Sequence, residues 1–298
     1  LTNDTLEQHI KLAESTGAGD YISRGNFAFM YQGKKAFEAD GFSHRLKSDF
    51  GYKSKKLKRS EIISLDKHIS SRYDIAAVYG DHGWITDPGL YLATIFNFFQ
   101  ANGGVFVKSE VTNILGTGVR LQNGKIISAD KIVLATGAWS ERFGLDLGIR
   151  TKIESERGYH VFFKGANRVP PFPMMITDGK FIVTPMRGGI RCAGVVEFGG
   201  LKAPPSKAPI RLIRKKIKEF YEDLEFEEEI TWMGHRPSTP DSLPLIGPTN
   251  RNPNIICAFG GQHIGLTIGP KIGVLVANMI LNKRTNFNFS PFKPDRFK

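Results

Sequence analysis

The amino-acid sequence predicts a mixed α+β / α/β fold, with one α/β part and one antiparallel-sheet part. An apolar run at residues 132–135 precedes a turn at residues 136–138, which is typical of a buried parallel strand that leads into a helix. Between residues 151 and 198, strand-like segments alternate with turns, as in an antiparallel meander. Apolar residues at helical spacing between residues 268 and 279 predict a long helix near the end of the chain.

The composition is that of a globular protein with a real core, since 41% of the 298 residues are apolar. The formal charge of +12 comes from 41 basic and 29 acidic residues and suggests nucleic acid as one partner. The basic runs at residues 53–59 and 211–218 are far apart, however, and the first contains no aromatic residues. Because no nucleic-acid-binding motif accompanies them, we predict no nucleic-acid partner.

The two cysteines, Cys192 and Cys257, lie in apolar strand-like segments without CxxC spacing or a nearby histidine cluster. We therefore predict no metal site and no disulfide, and expect both thiols to be reduced and buried, as in a cytoplasmic protein. No apolar run approaches the roughly 18 to 20 residues that cross a bilayer, and residues 272–280 are interpreted as a core helix face. Nor does a signal peptide open the chain, and we interpret Leu1 as the start of a processed or truncated product.

Spacing and turn residues predict the elements of the first half of the chain. They are a helix at residues 5–14, a strand at 26–31, a helix at 34–46, a solvated loop or helix face at 53–59, a short helix at 60–64, a strand at 76–79 and a turn at 80–84. A helix that Asp87 caps and that has Pro88 at its first position follows. Strands are predicted at residues 105–107 and 110–114, and Asn123-Gly124 predicts a hairpin.

The second half begins with the apolar strand at residues 132–135, which we expect to be covered on both faces. The meander follows, and a helix at residues 208–220 can cover one face of its sheet. The last helix should begin near Gly265, with Pro270 tolerated in its first turn. Its free N–H groups and positive dipole end predict an anionic or electron-rich ligand.

Several motifs, in order along the chain, carry a family resemblance. They are Asp87-Pro88-Gly89, Ala135-Thr136-Gly137-Ala138-Trp139-Ser140, Arg157-Gly158-Tyr159, Ala193-Gly194-Val195-Val196-Glu197-Phe198, Gly234-His235-Arg236-Pro237, Pro240-Asp241, Leu245-Ile246-Gly247 and Gly265-Leu266-Thr267. Together they resemble the FAD-dependent D-amino-acid oxidase/dehydrogenase family, which includes glycine oxidase. The resemblance covers nearly the whole chain. It implies a partial FAD-binding (GR2-type) domain and an inserted antiparallel-sheet substrate domain.

The resemblance also implies how the chain is divided between the two domains. Residues 1–20, 85–149 and 233–298 would form the FAD-binding domain, and residues 21–84 and 150–232 the substrate-binding domain.

A GxGxxG fingerprint, which holds the pyrophosphate in FAD enzymes of this kind, is missing from the sequence. Gly17-Ala18-Gly19 continues to Ile22 where a glycine is required, and Gly116-Thr117-Gly118 continues to Leu121. Either the resemblance is false or the chain lacks the first βαβ unit, and we favour the second explanation because the other motifs keep the family order. We expect FAD in the full-length protein, but weak or no FAD binding by this chain.

The resemblance implies a set of residues that contact the cofactor. They are Val111, Thr136, Gly137, Ala138, Trp139, Gly260, Gly261, Gly265, Leu266 and Thr267. Val111 would meet the adenine, and the helix start at Thr267 would face the pyrimidine end of the flavin. The structural alternatives are a plain sheet residue at Val111, an ordinary strand-to-helix turn at Gly137 and a helix cap at Thr267.

For the substrate, the resemblance implies that Arg236 anchors a carboxylate, which its guanidinium can hold by two parallel hydrogen bonds. The alternative is a structural arginine that bonds to loop carbonyls. Tyr159 would reach the substrate from the second domain or only pack in its strand. His263 would contact the substrate, tune the flavin charge or be structural. Many relatives carry a histidine where this chain has Gly261, which leaves the contacts of that turn open.

The implied activity is oxidation of the amine of a D-amino acid or related small amino acid by hydride transfer to flavin, as in a D-amino-acid dehydrogenase. No GxSxG or HExxH motif points to other chemistry. The alternatives are a glycine/sarcosine-type oxidase, or a non-catalytic remnant with a basic interaction surface. The expected electron acceptor is a quinone or oxygen. We expect a cytoplasmic protein, and peripheral association with the inner membrane stays open.

Overall fold

The computed structural model describes residues 1–297 and contains eight α-helices within that range. The helices are α1 (Thr5–Thr16), α2 (Gly33–Ala39), α3 (Gly41–Asp49), α4 (Arg59–Leu65), α5 (Pro88–Ala101), α6 (Gly144–Leu147), α7 (Ala208–Phe220) and α8 (Gly265–Ile280). Short 3-10 helices lie at Gly19–Tyr21, Gly137–Phe143, Gln262–Ile264 and Ser290–Phe292.

The strands of the described chain form one large sheet and two small ones. They are β1 (Ile22–Tyr31), β2 (Ser54–Lys58), β3 (Ile75–Ile85), β4 (Val111–Leu115), β5 (Gly118–Leu121), β6 (Ile126–Ser128), β7 (Ile132–Leu134), β8 (Glu154–Lys164), β9 (Met174–Ile176), β10 (Phe181–Met186), β11 (Gly189–Phe198), β12 (Glu228–Ser238), β13 (Leu245–Pro248) and β14 (Ile255–Phe259).

The large sheet has eight strands in the order β12-β8-β11-β10-β9-β1-β3-β2. All neighbouring pairs are antiparallel except β1 and β9, which are parallel. The predicted meander is confirmed as β8 to β11, and β1 to β3 from the first part of the chain extend the same sheet. One face of this sheet packs on α7, whose Ile213, Ile217 and Phe220 are fully buried. The opposite face of the sheet is not covered by α7.

A second sheet has the order β13-β14-β7, in which β14 and β7 run parallel. Its apolar residues pack on one side with Phe143 and Leu147, and on the other side with α8. The third sheet is the hairpin-rich β4-β5-β6, whose predicted turn at Asn123-Gly124 is confirmed by a φ of 83° at Gly124. The mixed α+β / α/β fold is thus confirmed, while the predicted domain boundaries stay predictions.

Helix α8 begins at Gly265, as predicted, but the expected position of Pro270 in its first turn is wrong because Pro270 is the sixth residue of the helix. A proline at this position cannot donate to the carbonyl of Leu266, four residues earlier. The His9 Nε2 group on α1 takes that role at 3.0 Å from the Leu266 oxygen. Tyr91 on α5 bonds to His9 Nδ1 at 2.9 Å. One buried histidine thus joins three helices.

Two predictions about turns and loops are wrong because pairing within the large sheet overrides local sequence preference. The lysine-rich segment at residues 53–59 was predicted to be a loop or helix face, but most of it forms β2, an edge strand paired with β3. Leu57 is buried there, while the lysines face solvent, as is common on edge strands. The predicted turn at residues 80–84 instead continues β3, which pairs with β1 as far as Ile85.

A third wrong prediction is the strand at residues 105–107, which has no regular structure and whose side chains are exposed. In contrast, the predicted helix starts and stops are confirmed at two places. Asp87 accepts a hydrogen bond from the N–H of Leu90 at 2.9 Å, and Gly17 ends α1 in the left-handed conformation. Both cysteines are free and buried, as expected.

The expectation that the strand at residues 132–135 is covered on both faces is wrong. Val133 is 41% exposed and lines a cleft beside α8. The interpretation of residues 272–280 as a core helix face is confirmed, since Val276 is buried in a cluster against which Ile272, Met279 and Ile280 pack. The expectation that no stretch is long enough to cross a bilayer is wrong. The helical stretch Gln262–Ile280 is long and apolar enough, by length and composition alone, to cross a bilayer. Within α8, the exposed large apolar residues are Leu266 and Val274, whereas Ile268, Leu275 and Val276 are buried.

Candidate functional site

The guanidinium of Arg236 lies on the free face of the large sheet, near the end of β12. Arg236 pairs across the sheet with Glu156 of β8, and Gly234 pairs with Gly158. A Cβ atom at Gly158 would lie 2.3 Å from the Arg236 Cζ atom, so the guanidinium occupies the space above this glycine. The Arg236 guanidinium thus packs directly against the backbone of Gly158, the glycine of the Arg157-Gly158-Tyr159 motif.

A buried carboxylate, which sequence reasoning did not select, lies beside this arginine. Glu156 Oε1 is 3.6 Å from Arg236 Nη1, and Glu156 Oε2 accepts a hydrogen bond from Ser238 Oγ at 2.8 Å. The Nε2 atom of His263 also contacts Glu156 Oε1. Only 8% of the Glu156 side chain is exposed, against 22% for Arg236 and 49% for His263. Acid, arginine and histidine therefore form one charged cluster.

The cluster leaves two buried polar atoms unsatisfied. Neither Glu156 Oε1 nor Arg236 Nη1 has a partner with hydrogen-bond geometry among the described residues. Arg236 does donate through Nη2 to the carbonyl of Gly194 at 3.3 Å. Burial lowers the pKa of Arg236, and the charge of Glu156 opposes that shift, so the guanidinium stays charged. A charged donor without a partner is what a carboxylate ligand requires.

The glycine-rich turn before α8 is held against the end of β12. Gly260 has a φ of 84°, and a Cβ atom there would lie 3.1 Å from Thr239 Cγ2. The Gln262 side chain donates to the Thr239 carbonyl at 3.1 Å. At Gly261 a Cβ atom would lie 2.8 Å from the Cα atom of Gly265. This backbone therefore leaves no room for a side chain at residue 261, and His263 two residues later reaches the cluster.

Next to the cluster, a cleft of about 390 Å³ lies between α8 and the exposed face of the β13-β14-β7 sheet. Val133, Gly137, Pro237 and Gly260 line it on the sheet side. On the helix side it is lined by Gly265, Gly269 and Gly273, where an added Cβ atom would meet nothing within 4 Å. The cleft is bounded by bare backbone and apolar side chains, which suits a large flat ring.

The start of α8 faces this cleft without a side-chain cap. Gly265, Leu266 and Thr267, the residues predicted to contact a cofactor, are all exposed there. Their N–H groups belong to the first helical turn and so have no acceptor within the helix. This end of α8 can therefore stabilise negative charge on a ligand in the cleft. The donor set and the glycine-lined wall fit the isoalloxazine and its pyrimidine oxygen atoms.

The turn after β7 meets the same region. Gly137 has a φ of 57°, Thr136 Oγ1 bonds to Ser140 Oγ at 2.8 Å, and Ala138 is buried. Trp139 is 50% exposed, and its ring meets the His235 ring edge-on, with 5.4 Å between centroids. The contact with His235 ties this turn to β12, next to Arg236.

The His235 ring is fixed from its other side by Ser155, whose Oγ is 2.7 Å from His235 Nδ1. Burial, and secondarily the charge of Arg157, lower the pKa of His235, which favours the neutral form of the imidazole that contacts Trp139.

The structure does not bring Tyr159 or Val111 to the cluster. Tyr159 points into the core on the opposite face of β8 from Glu156, and it is 2% exposed. Its hydroxyl donates to Glu197 at 2.5 Å and accepts the N–H of Ser206. Val111 lies on β4 in another sheet, where its carbonyl accepts a hydrogen bond from Arg142 at 2.9 Å. Tyr159 is therefore used to hold the chain around Ser206.

Sequence reasoning missed Glu156 and Ser238, although a signal was present. Glu156 immediately precedes the Arg157-Gly158-Tyr159 motif, in a segment predicted to be a strand of the antiparallel meander. A carboxylate there is costly unless it is paired, so the position called for a partner. The neighbouring Arg157 shows the structural alternative, since its buried guanidinium donates to the carbonyls of Gly199, Gly200, Ala203 and Pro204. The identity of the partner depended on strand register.

Comparison with known proteins bears on the identity of this site. A family described as FAD dependent oxidoreductase, DAO, matches residues 1–279. The chain belongs to this family. FAD is thus the cofactor expected of this DAO-family chain.

Individual relatives match this DAO-family chain over different shares of their length. A D-amino-acid oxidase of Bradyrhizobium diazoefficiens is 31% identical over 306 residues, covering 100% of this chain and 72% of that protein. A D-amino acid dehydrogenase of Helicobacter pylori is 30% identical over 204 residues, covering 65% of this chain and 48% of that protein. A glycine oxidase structure from Geobacillus kaustophilus superposes with a TM-score of 0.83 at 20% identity, over 98% of this chain and 82% of that one. The last likeness shows a shared fold.

Proposed function

We propose that this DAO-family chain is part of an enzyme that oxidises the amine carbon of a small amino acid, with a D-amino acid as the first candidate. The observation that carries the proposal is the buried, unpartnered Nη1 of Arg236, fixed above Gly158 at the edge of the cleft. The names of its relatives, D-amino-acid oxidase, D-amino acid dehydrogenase and glycine oxidase, support a small amino acid as substrate.

The role of Arg236 follows from its geometry. A guanidinium binds a carboxylate through two parallel hydrogen bonds, which fix both the position and the plane of the bound group. Because Gly158 and the carbonyl of Gly194 hold Arg236, the substrate carboxylate would be anchored rigidly beside the cleft. The adjoining carbon and its C–H bond would then be directed toward the cleft, and such positioning is a large part of catalysis by flavin enzymes.

FAD, when bound, supplies the hydride acceptor for this reaction. The protein contributes a wall without side chains at Gly265, Gly269 and Gly273, and free N–H groups at the start of α8. These donors would favour negative charge on the ring system by roughly 0.3 to 2 kcal/mol, as is usual at the end of a helix dipole.

The electron acceptor and the location belong to the same proposal. Oxygen or a quinone would reoxidise the flavin, and relatives named as an oxidase and as a dehydrogenase support each choice. We infer a cytoplasmic protein, with peripheral attachment to the inner membrane as the second case. The exposed apolar residues Leu266, Val274 and Leu281 on and next to α8 are compatible with such an attachment.

Flavin binding and amine-dependent electron transfer test the proposal directly. The visible absorbance spectrum should be recorded for the purified chain with added FAD, and for a version extended by any natural sequence that precedes it. Reduction of a dye by D-amino acids, compared with peroxide release, then separates a dehydrogenase from an oxidase. Arg236→Lys should abolish most of the turnover, because one ammonium cannot replace the bidentate fork. If neither version binds flavin or reduces dye, the non-catalytic alternative is correct.

A further inference from the structure

We propose that Glu156 binds the ammonium group of the substrate, so that Arg236 and Glu156 together recognise the zwitterionic head of an amino acid. This inference rests on the proposed function and adds a second recognition group to it. The two side chains lie opposite each other on neighbouring strands, with Arg236 Nη1 and Glu156 Oε1 3.6 Å apart. An α-amino acid carries its two charges on groups that share one carbon, so opposite charges side by side are complementary to it.

The burial of Glu156 indicates that it is placed for a cation. A buried carboxylate is destabilising unless it is paired and hydrogen-bonded. Glu156 has one hydrogen bond, from Ser238 to Oε2, while Oε1 has no partner with hydrogen-bond geometry in the described residues. Arg236 at 3.6 Å is too distant for a hydrogen bond, so the existing pair leaves both charged groups incompletely satisfied.

Ser238 explains why the acid and the arginine do not simply close on each other. Its hydroxyl, at the C-terminal end of β12, donates a hydrogen bond to Oε2 at 2.8 Å, and the guanidinium is held over Gly158. The carboxylate and the guanidinium are therefore kept apart by separate contacts. A bound amino acid would give Oε1 a charged N–H donor and Nη1 a carboxylate acceptor, and it would satisfy both orphaned atoms at once.

His263 is another polar side chain that contacts this Glu156–Arg236 pair. Its Nε2 contacts Glu156 Oε1, and about half of its side chain, 49%, is exposed. An exposed imidazole can move away from Oε1 when an ammonium arrives, whereas Arg236 and Ser238 belong to the paired strand. The site would therefore discriminate by the amine: an amino acid is expected to bind more tightly than the same skeleton without nitrogen.

Calorimetric titration of the full chain, with FAD present and already reduced so that D-alanine binds without being oxidised, tests this with D-alanine and with propionate, which lacks the amine. Glu156→Gln should weaken D-alanine binding by about 10- to 100-fold, the range expected for a charge-assisted hydrogen bond, and leave propionate binding unchanged or tighter. The control is Glu228→Gln, which removes an equal charge from the exposed far end of β12 and should change neither affinity.

Two results would overturn the inference. Equal weakening of both ligands by Glu156→Gln would mean a structural role, and no change for either ligand would mean no role. If Arg236→Lys weakens both ligands while Glu156→Gln has no selective effect, only this inference fails and the proposed function stands. If the wild-type chain binds neither ligand, both fail.

A second variant covers the case in which Glu156→Gln does not fold, as judged by circular dichroism. Glu156→Asp keeps the charge but withdraws it by one methylene, so the ratio of D-alanine to propionate affinity should fall to an intermediate value. An unchanged ratio would overturn the inference.

Discussion

The guanidinium of Arg236 occupies the space where a side chain at Gly158 would begin, with its Cζ atom 2.3 Å from the position of that absent Cβ. The two residues are on neighbouring strands, β12 and β8, and are brought together by the antiparallel register that also pairs Arg236 with Glu156. The position of the proposed carboxylate anchor therefore depends on a glycine 78 residues earlier in the chain.

Replacing Gly158 with alanine should displace the guanidinium. The new methyl group cannot share the space of Arg236, so we expect propionate affinity to fall by at least about 10-fold, as when a charged hydrogen bond is lost. Calorimetry measures this. Gly19→Ala is the matched control, because an added Cβ atom there meets nothing within 4 Å. Unchanged propionate binding in Gly158→Ala would show that Arg236 does not hold the carboxylate.

Ser238→Ala removes the hydrogen bond that holds Glu156 Oε2 at 2.8 Å. The released carboxylate should move onto Arg236 and compete with the ligand, weakening propionate binding by roughly 3- to 10-fold, equivalent to a net hydrogen bond of about 1 kcal/mol. Titration of the variant and of Ser128→Ala, an exposed serine on β6, gives the comparison. Equal affinities in the two variants would contradict the positioning role of Ser238.

Gly269 offers a way to fill the cleft without disturbing the helix. Gly269→Ala should raise the free energy of unfolding by roughly 0.5 to 1 kcal/mol, because alanine favours a helix and its Cβ atom meets nothing within 4 Å. Gly269→Leu should also fold, but its side chain would enter the cleft and weaken FAD binding. Thermal unfolding and fluorescence titration with FAD measure the two effects. Unaltered FAD titration in the folded leucine variant would place the flavin elsewhere.

His9 and Pro270 should show coupled effects on stability. His9→Ala leaves the part-buried Leu266 carbonyl without this donor, which costs about 0.5 to 1.5 kcal/mol, the usual net contribution of a hydrogen bond. In a Pro270→Ala background the restored N–H can donate to that carbonyl, so His9→Ala should cost less there. A double-mutant cycle from denaturant unfolding measures the difference. Additive effects would mean that His9 does not replace the bond lost at Pro270.

The same histidine makes stability depend on pH. Burial lowers the pKa of His9 below its ordinary value of 6.5, although its bonds to backbone carbonyls oppose the shift. Below about pH 6.5 the unfolded chain therefore binds more protons at this position than the folded chain, and stability falls as the pH falls. The melting temperature of His9→Gln should decline less than that of the wild type between neutral pH and about pH 5. An identical decline would assign the acid sensitivity to other groups.

Burial also lowers the pKa of His160, to about 4, with a smaller contribution from the charge of Arg191. His160, which is stacked on Trp232 with 5.2 Å between ring centroids, is present in both the wild type and His9→Gln. Its protonation destabilises both proteins equally as the pH falls, so the difference between their melting temperatures reports on His9.

Local patterns were sufficient wherever a few neighbouring residues determine the structure. Asp87 with Pro88 predicts the start of α5, and Asn123-Gly124 predicts the hairpin, because capping and turn chemistry act over three or four residues. The same reasoning failed for residues 53–59. Their lysines suggest a solvated segment, but pairing with β3 and burial of Leu57 make them an edge strand.

The sequence by itself determined the helix and strand periods, the glycine-rich start of α8 and Arg236 as the charged residue beside it. Only the tertiary structure decided that Glu156, and not Tyr159, shares a face with Arg236. The reason is that alternate residues of a strand point to opposite faces, so a one-residue difference in register reverses the choice. Register depends on pairing between distant segments, and no local pattern specifies it.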